Sequence, residues 1–538
     1  MKASLVASST LTLTLLGGFV AAVLGAALYT THLLSAPLLL VLTVGFNLVW
    51  WLVSPAVMDW SLRLAYRYED LQLRDLAAQH PEVAEFVRQV AAKHRIRVPR
   101  LGLIHDQTPT AFTYGSTAQN ARLVVSTGLF HYLDTEEATA VYAHELGHIV
   151  HRDFIVMSLG ATLVQLLYQI YVVFTRSKSG GDRKGSLAHI GLAAYVFYWI
   201  GTYLLLFLSR TREYMADQFA AEHTRNPNAL AMALTKIAFG ILQAEQEGTS
   251  KRLLESTRAL GIFDPKSARC VGLATEQALD LSKVGRVFLF DLFNPWAALS
   301  EFQSTHPLTG KRIRALANVA RTFGQTPPFD FAKISAASKK LDMGRMRQQF
   351  VREVGLYFAP WIGALVGLAI ALPLHHYFVA LAVGGLGLGI LLKGYYSFSS
   401  TARAMPREFL DLMTDPYASP MKGKPVRLKG VLIGKATAGS KFSEDFMLQD
   451  NTGVVYVNYE SPFGPIGNLF FGARKGNDLI GQEVEAVGWF RRGMMPQFDL
   501  LELTTSSGER IKSWTFLWAL LPGLIALAAM AFLAARGL

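Results

Sequence analysis

Charge is scarce in this chain. Of its 538 residues only 17% are Asp, Glu, Lys or Arg and 51% are hydrophobic, where a soluble domain carries about 25% charged residues. Mean hydropathy is +0.27. The deficit is localised: no Asp, Glu, Lys or Arg occurs between Lys2 and Asp59, and none from Val354 to Leu392. Each uncharged stretch excludes an ordinary soluble globule there and is long enough for two bilayer-crossing helices of about 20 residues. Cysteine is scarcer still, since Cys270 stands alone. That excludes an internal disulfide framework and any cysteine zinc cluster, and agrees with working parts that face a reducing compartment. The charge that is present leans one way, with 52 Lys and Arg against 40 Asp and Glu. A multispan protein accumulates Lys and Arg on its cytoplasmic side; we ascribe the excess to that and expect no nucleic-acid partner.

Against this apolar background one polar motif stands out, Ala143-His144-Glu145-Leu146-Gly147-His148-Ile149. It has the H-E-x-x-H form in which two histidines four residues apart share one helix face and can hold one metal ion. The helix it needs is signalled by Asp134, an N-cap residue followed three positions later by Glu137, and by the run Ala138 to Ala143. The metal is expected to be zinc, one per chain, held by His144, His148 and a third protein ligand so that one position stays open for water. Glu145 is then the general base that takes the water's proton and passes it to the leaving amine. A metzincin continuation is excluded, because His151 occupies its glycine position and Phe154 its last histidine position. The third ligand is instead expected from a second helix. Glu213 in Ser209-Arg210-Thr211-Arg212-Glu213-Tyr214-Met215-Ala216-Asp217 supplies it, and Asp217, four residues on, orients an imidazole.

Spanning segments are expected at Thr10 to Tyr29, Leu34 to Val53, Phe154 to Phe174, Leu187 to Leu208, twice within Val354 to Leu392 with a reversal near Pro373-Leu374-His375-His376, and at Trp514 to Ala535. The glycines from Gly363 to Gly389 suit close packing of the fifth and sixth. Between the spans lie residues 59–153, with a helix near Pro81 to His94 and strands near Arg100 to Ile104 and Arg122 to Ser126, and residues 210–353, mainly helical. In the latter the basic run from Lys311-Arg312 to Arg321, with Lys339-Lys340 beyond it, reads as a solvated face or a contact to anionic lipid. Residues 405–512 change character. Strands at Val426 to Ile433, Phe446 to Gln449, Val454 to Tyr459, Glu483 to Phe490 and Phe498 to Leu503 suggest a small five-stranded barrel resembling an OB-fold. The fold class expected is thus a multispan α-helical membrane protein with a mainly α (α+β) zinc-peptidase domain and a small all-β OB-like barrel. His148 lies six residues before the third span and Glu213 five after the fourth. At about 1.5 Å per residue the metal should sit within roughly 10 Å of the bilayer. Residues 59–152 are rich in Arg while the loop near Thr31 has none, which makes their side cytoplasmic. Arg176, Lys178, Arg183 and Lys184 argue the other way and weigh less.

The motifs His144-Glu145-x-x-His148 with Arg152-Asp153, Ser209-Arg210-x-x-Glu213-Tyr214-x-Ala216-Asp217, and Ser304-Thr305-His306-Pro307 resemble in order and type the HtpX-type membrane zinc metalloproteases. These belong to a broad peptidase family that also holds CAAX-prenyl endopeptidases and Oma-type proteases. The resemblance covers roughly residues 5 to 320. It implies that the strand at Ala111 and Phe112 lines the substrate cleft, with Thr110 where the family has Asn, and that His306 stabilises an oxyanion. It further implies a role in quality control of membrane proteins. The function expected is therefore a zinc endopeptidase of an inner or plasma membrane, cutting membrane-protein or peptide substrates at the cytoplasmic face. A prenyl-peptide processing protease and a non-catalytic scaffold or holdase are the alternatives, with the bilayer and a protein partner of the barrel as further contacts.

Overall fold

The computed structural model describes residues 36–176, 183–246, 281–338, 341–435, 444–493 and 496–537. The expected first span, Cys270 and Lys339-Lys340 lie outside them. The chain divides into two compact units, Met1–Ala268 with Leu299–Pro328, and Arg269–Ala298 with Phe329–Leu538. The second soluble region expected at 210–353 is thereby shared between them.

The first unit opens with helix α1, Ala36–Ala65, which runs unbroken through Pro55 and past Asp59. The change of composition at Asp59, read as the end of the first hairpin, is therefore not an end of structure. Asp59 stays inside the helix because it accepts hydrogen bonds from Tyr114 Oη at 2.7 Å and Arg122 Nη2 at 2.7 Å. Strands β1 (Tyr68–Leu71), β2 (Arg100–Ile104), β3 (Ala111–Gly115) and β4 (Ala121–Ser126) form a sheet in the order β1-β2-β4-β3, with β2 and β4 parallel and β3 on an edge. Helix α2, Pro81–Lys93, buries Val83, Ala84, Val87, Val90 and Ala91, the one-face spacing that called for a helix there.

Helix α3, Thr135–Val150, carries the motif. Asp134 accepts from the Glu137 N–H at 2.9 Å and Glu137 accepts from the Asp134 N–H at 3.0 Å. Such reciprocal caps contribute about 1 kcal/mol and set where the helix begins. It ends at Val150, Arg152 turns the chain with φ 58, and α4, Asp153–Arg176, leaves at 55°. Helix α5, Arg183–Thr224, is continuous over 42 residues. The expected fourth span and the segment with Glu213 and Asp217 are thus one rod. Helices α6 (Pro227–Gln246) and α7 (Thr309–Thr322) pack beside it.

In the second unit α8 (Met343–Tyr357) bends by 59° into α9 (Ala359–Leu374), and α10 (Phe378–Ser397) returns after a reversal at His375 and Tyr377, both in the left-handed region. A Cβ on Gly363 would stand 2.0 Å from the Gly385 carbonyl oxygen, so glycine is what lets these two helices touch backbone to backbone. Strands β5 (Met405–Pro406), β6 (Lys424–Lys435), β7 (Phe446–Gln449), β8 (Val454–Asn458), β9 (Glu483–Arg492), β10 (Pro496–Thr505) and β11 (Arg510–Lys512) follow. Five of them close on themselves as β6-β7-β8-β10-β9-β6, with only β8 and β10 parallel. Helix α11, Gly464–Arg474, bridges β8 and β9. The five barrel strands were expected; α11 and the short β5 and β11 were not. Helix α12, Thr515–Ala535, ends the described chain.

Among the described residues Val41–Ala65, Leu192–Thr224, Phe378–Ser397 and Thr515–Ala535 are helices long and apolar enough to cross a membrane, and there are six such segments if α3 with α4 and α8 with α9 each count as one bent span.

Candidate metal centre

Helix spacing brings the two motif histidines together. His144 Nε2 and His148 Nε2 lie 3.1 Å apart, with ring planes at 87°. Gly147 makes room for the third group: a Cβ there would stand 3.2 Å from Ala216 Cα, and its absence lets α5 cross α3 closely one turn from Glu213. Glu213 Oε2 is 3.7 Å from His144 Nε2 and its Oε1 is 3.7 Å from His148 Nε2. Two donors on a tetrahedral zinc stand about 3.3–3.6 Å apart. The three side chains therefore fit one ion, and among the described residues they are the one group of three or more that does. His144 and Glu213 are buried while His148 is partly exposed, which leaves the centre approachable from one side.

Each imidazole is backed by a carboxylate, and each carboxylate by an arginine. His144 Nδ1 lies 3.0 Å from Asp217 Oδ1, and Arg312 donates to Asp217 through Nε at 2.9 Å and Nη2 at 2.6 Å. On the other side His148 Nδ1 lies 2.6 Å from Asp153 Oδ2, and Arg212 pairs with the other Asp153 oxygen. A carboxylate on the outer nitrogen fixes the tautomer, so that Nε2 offers its lone pair inward. Asp217 thus stands where it was expected. Asp153, Arg212 and Arg312 were not assigned roles. Arg312 corrects the reading of the basic run: it is 2% exposed, and its Nη1 lies 3.3 Å from Glu213 Oε2. Its only sequence signal is position, six residues after His306 in the third motif; a helical wheel does not reveal a buried cation.

His306 Nδ1 lies 3.1 Å from Glu213 Oε2, and its buried Nε2 has no hydrogen-bond partner among the described residues. Burial favours the neutral form of Glu213, but His306, Arg312 and His148 outweigh it and hold the carboxyl far below the usual range. Glu145 is the opposite case. It lies on α3, outside the apolar segment that begins at Phe154, and is 1% exposed, with neither carboxylate oxygen in a hydrogen bond of good geometry among the described residues. Burial pushes its carboxyl up to about 7, against the pull of His148 and of the Thr113 hydroxyl. A base at that value can take a proton and give it back near neutral pH.

The edge strand β3 packs on α3. Ala111 and Phe112 are both fully buried, and the Phe112 ring sits in a core cluster with Leu62, Ile104, Tyr114 and Val124. The Phe112 side chain lies on the core face of the strand, so a peptide added along β3 would meet this residue through its main chain.

Comparison with known proteins gives a consistent picture. The model of peptidase family M48 matches residues 77–320. A protein named "Protease HtpX homolog" from Methanothermobacter thermautotrophicus is 34% identical over 217 residues, 40% of this chain and 78% of the relative. One of the same name from Syntrophobacter fumaroxidans is 31% identical over 247 residues, 44% of this chain and 76% of the relative. The crystal structure of S. mikatae Ste24p aligns over 52% of this chain and 57% of that one, at 16% identity and a TM-score of 0.31.

Proposed function

Because the chain belongs to peptidase family M48, we propose that it is a zinc-dependent endopeptidase set in a membrane and cutting membrane proteins, or segments of them close to the bilayer, at the cytoplasmic face. The observation that carries this reading is Glu145, a buried carboxylate that meets no hydrogen-bond donor in good geometry among the described residues, one residue from a metal ligand and facing the one described group of three or more side chains fit for an ion. Zinc, when bound by His144, His148 and Glu213, supplies a Lewis acid that acidifies water and polarises a carbonyl. Glu145 takes the proton of the attacking water and delivers it to the leaving nitrogen. His306 steadies Glu213 through Nδ1 and keeps Nε2 as the donor for the oxyanion. The peptide lies along β3 as an added strand, read by main-chain hydrogen bonds. Placement at the bilayer is supported by α4, which starts five residues after His148, and by α5, whose apolar stretch stops at Leu208, five residues before Glu213. The cytoplasmic side is supported by the arginines of residues 59–152, and a role in membrane-protein quality control by the resemblance to HtpX-type proteases.

The closed strand order with α11 between the third and fourth barrel strands supports an OB-like reading of residues 405–512, with a protein rather than a nucleic acid as its partner. The test is cleavage of an unfolded membrane-protein substrate by zinc-loaded protein in detergent, wild type against Glu145→Gln, with metal content read on both. Cutting by wild type and none by a metal-replete variant supports the peptidase. Zinc bound by both, with no cutting by either, overturns it in favour of a scaffold.

A further inference from the structure

Away from the metal centre, a second pair of imidazoles is arranged as ligands. His94 caps the C-terminus of α2, and His223 lies in the last turn of α5. Their Nε2 atoms are 2.9 Å apart. His223 Nδ1 is 2.9 Å from the Phe219 carbonyl oxygen. A carbonyl can only accept, so Nδ1 carries the proton and Nε2 turns its lone pair to His94. This is the outer hydrogen bond by which metal-bound histidines are held. Two nitrogens about 2.0–2.1 Å from a shared ion and separated as these are subtend about 90°, the angle of neighbouring positions in square-planar or octahedral coordination. Both rings are half-buried, so solvent water can complete the shell.

The surroundings keep the pair ready. Burial lowers the pKa of both imidazoles, and at His94 the neighbouring Lys93 adds to it; a neutral ring is the ligand form. The Phe219 ring lies 3.9 Å from that of His223 and 5.3 Å from that of His94. A third imidazole, His151, lies 5.5 Å from it on another side, with a buried Nδ1 that has no partner among the described residues. Phe219 itself would stand 3.3 Å from a Cβ on Gly147, so the cluster abuts the helix of the H-E-x-x-H motif.

We propose that His94 and His223 form a second metal site, separate from the zinc centre, which takes an imidazole-preferring divalent transition ion such as Ni²⁺ and ties the end of α2 to the end of α5. The site does not depend on the peptidase reading. The test uses untagged full-length protein in detergent, dialysed against micromolar Ni²⁺ after its first site is filled with zinc, with metal content and melting temperature read together. Wild type should hold two ions per chain, and its melting temperature should rise by a few degrees on adding Ni²⁺. His94→Gln and His223→Gln should each hold one ion and show no rise; the retained zinc shows that they are folded. One ion in wild type, or equal Ni²⁺ uptake by the variants, would overturn the site and leave an ordinary imidazole–imidazole hydrogen bond. Should either variant lose zinc as well, copper spin resonance on wild type decides: two coupled imidazole nitrogens at the second equivalent support the pair, and none rejects it.

Discussion

Glu145 in the first unit and Glu353 in the second are the same residue type at almost the same burial, 1% and 0% exposed, and they are held in opposite ways. Glu353 accepts from Trp296 Nε1 at 2.6 Å, Ser419 Oγ at 2.6 Å, Gln349 Nε2 at 2.9 Å and Tyr396 Oη at 3.1 Å. Glu145 has no such set: among the described residues no donor meets its oxygens in good geometry, and Thr113 alone pulls on it as a hydrogen-bond donor. A buried carboxylate with four donors is a structural node, since each bond offsets part of the desolvation and the geometry of all four elements depends on it. One left short of donors stores most of its desolvation cost, and such a group calls for another partner, here a metal or a reacting water. Asp445 falls between, partly buried with one N–H from Tyr459 at 2.9 Å.

Exchanging these carboxylates for neutral side chains should therefore divide catalysis from stability. Glu145→Gln should cut peptidase turnover by about 10²–10⁴-fold and leave zinc content unchanged; a loss of zinc would mean that Glu145 is a structural part of the centre. Glu353→Leu strands four buried donors and should cost on the order of 3 kcal/mol in denaturant unfolding, while zinc affinity stays as in wild type. Asp217→Asn removes the anion behind His144, and zinc affinity by competition with a chelator should fall about 10–100-fold; Asp153→Asn should act in the same direction through His148. The smallest effect belongs to Asp445, whose carboxyl burial pushes up to about 6. Below about pH 4 it is protonated both folded and unfolded. As pH rises from there to about 6 the unfolded chain gives up its proton first, so stability falls across that window. Asp445→Asn should flatten this slope and raise stability at pH 7.

Local signals proved the most legible. The cap at Asp134 and Glu137, the one-sided apolar spacing of α2, the strands at 100–104 and 122–126 and the five barrel strands all follow from neighbours in sequence. So do the ligand candidates His144, His148 and Glu213, because H-E-x-x-H and a carboxylate on a following helix are patterns of spacing. The end of α1 was less legible: the first charge after a long apolar run marks an interface by composition, yet Asp59 is paired with Tyr114 and Arg122 from strands more than fifty residues on. Arg312 was illegible for the same reason, a surface-like cation in a basic helix that tertiary contact buries against two carboxylates.

By itself the sequence determined the chemistry available: a charge-poor chain with apolar rods of spanning length, a helix bearing two imidazoles and a base, and a carboxylate to meet them. Periodicity and capping act over a few residues, so these survive without knowledge of the fold. Tertiary structure alone decided which charges face one another. Whether Asp153 and Asp217 hold an imidazole, whether Glu145 is left short of donors, and whether His94 meets His223 depend on how α2, α3, α4, α5 and α7 are set against one another, and close contacts such as Gly147 against Ala216 fix part of that arrangement. Electrostatic interactions depend on distance in space and on burial, neither of which separation along the chain encodes.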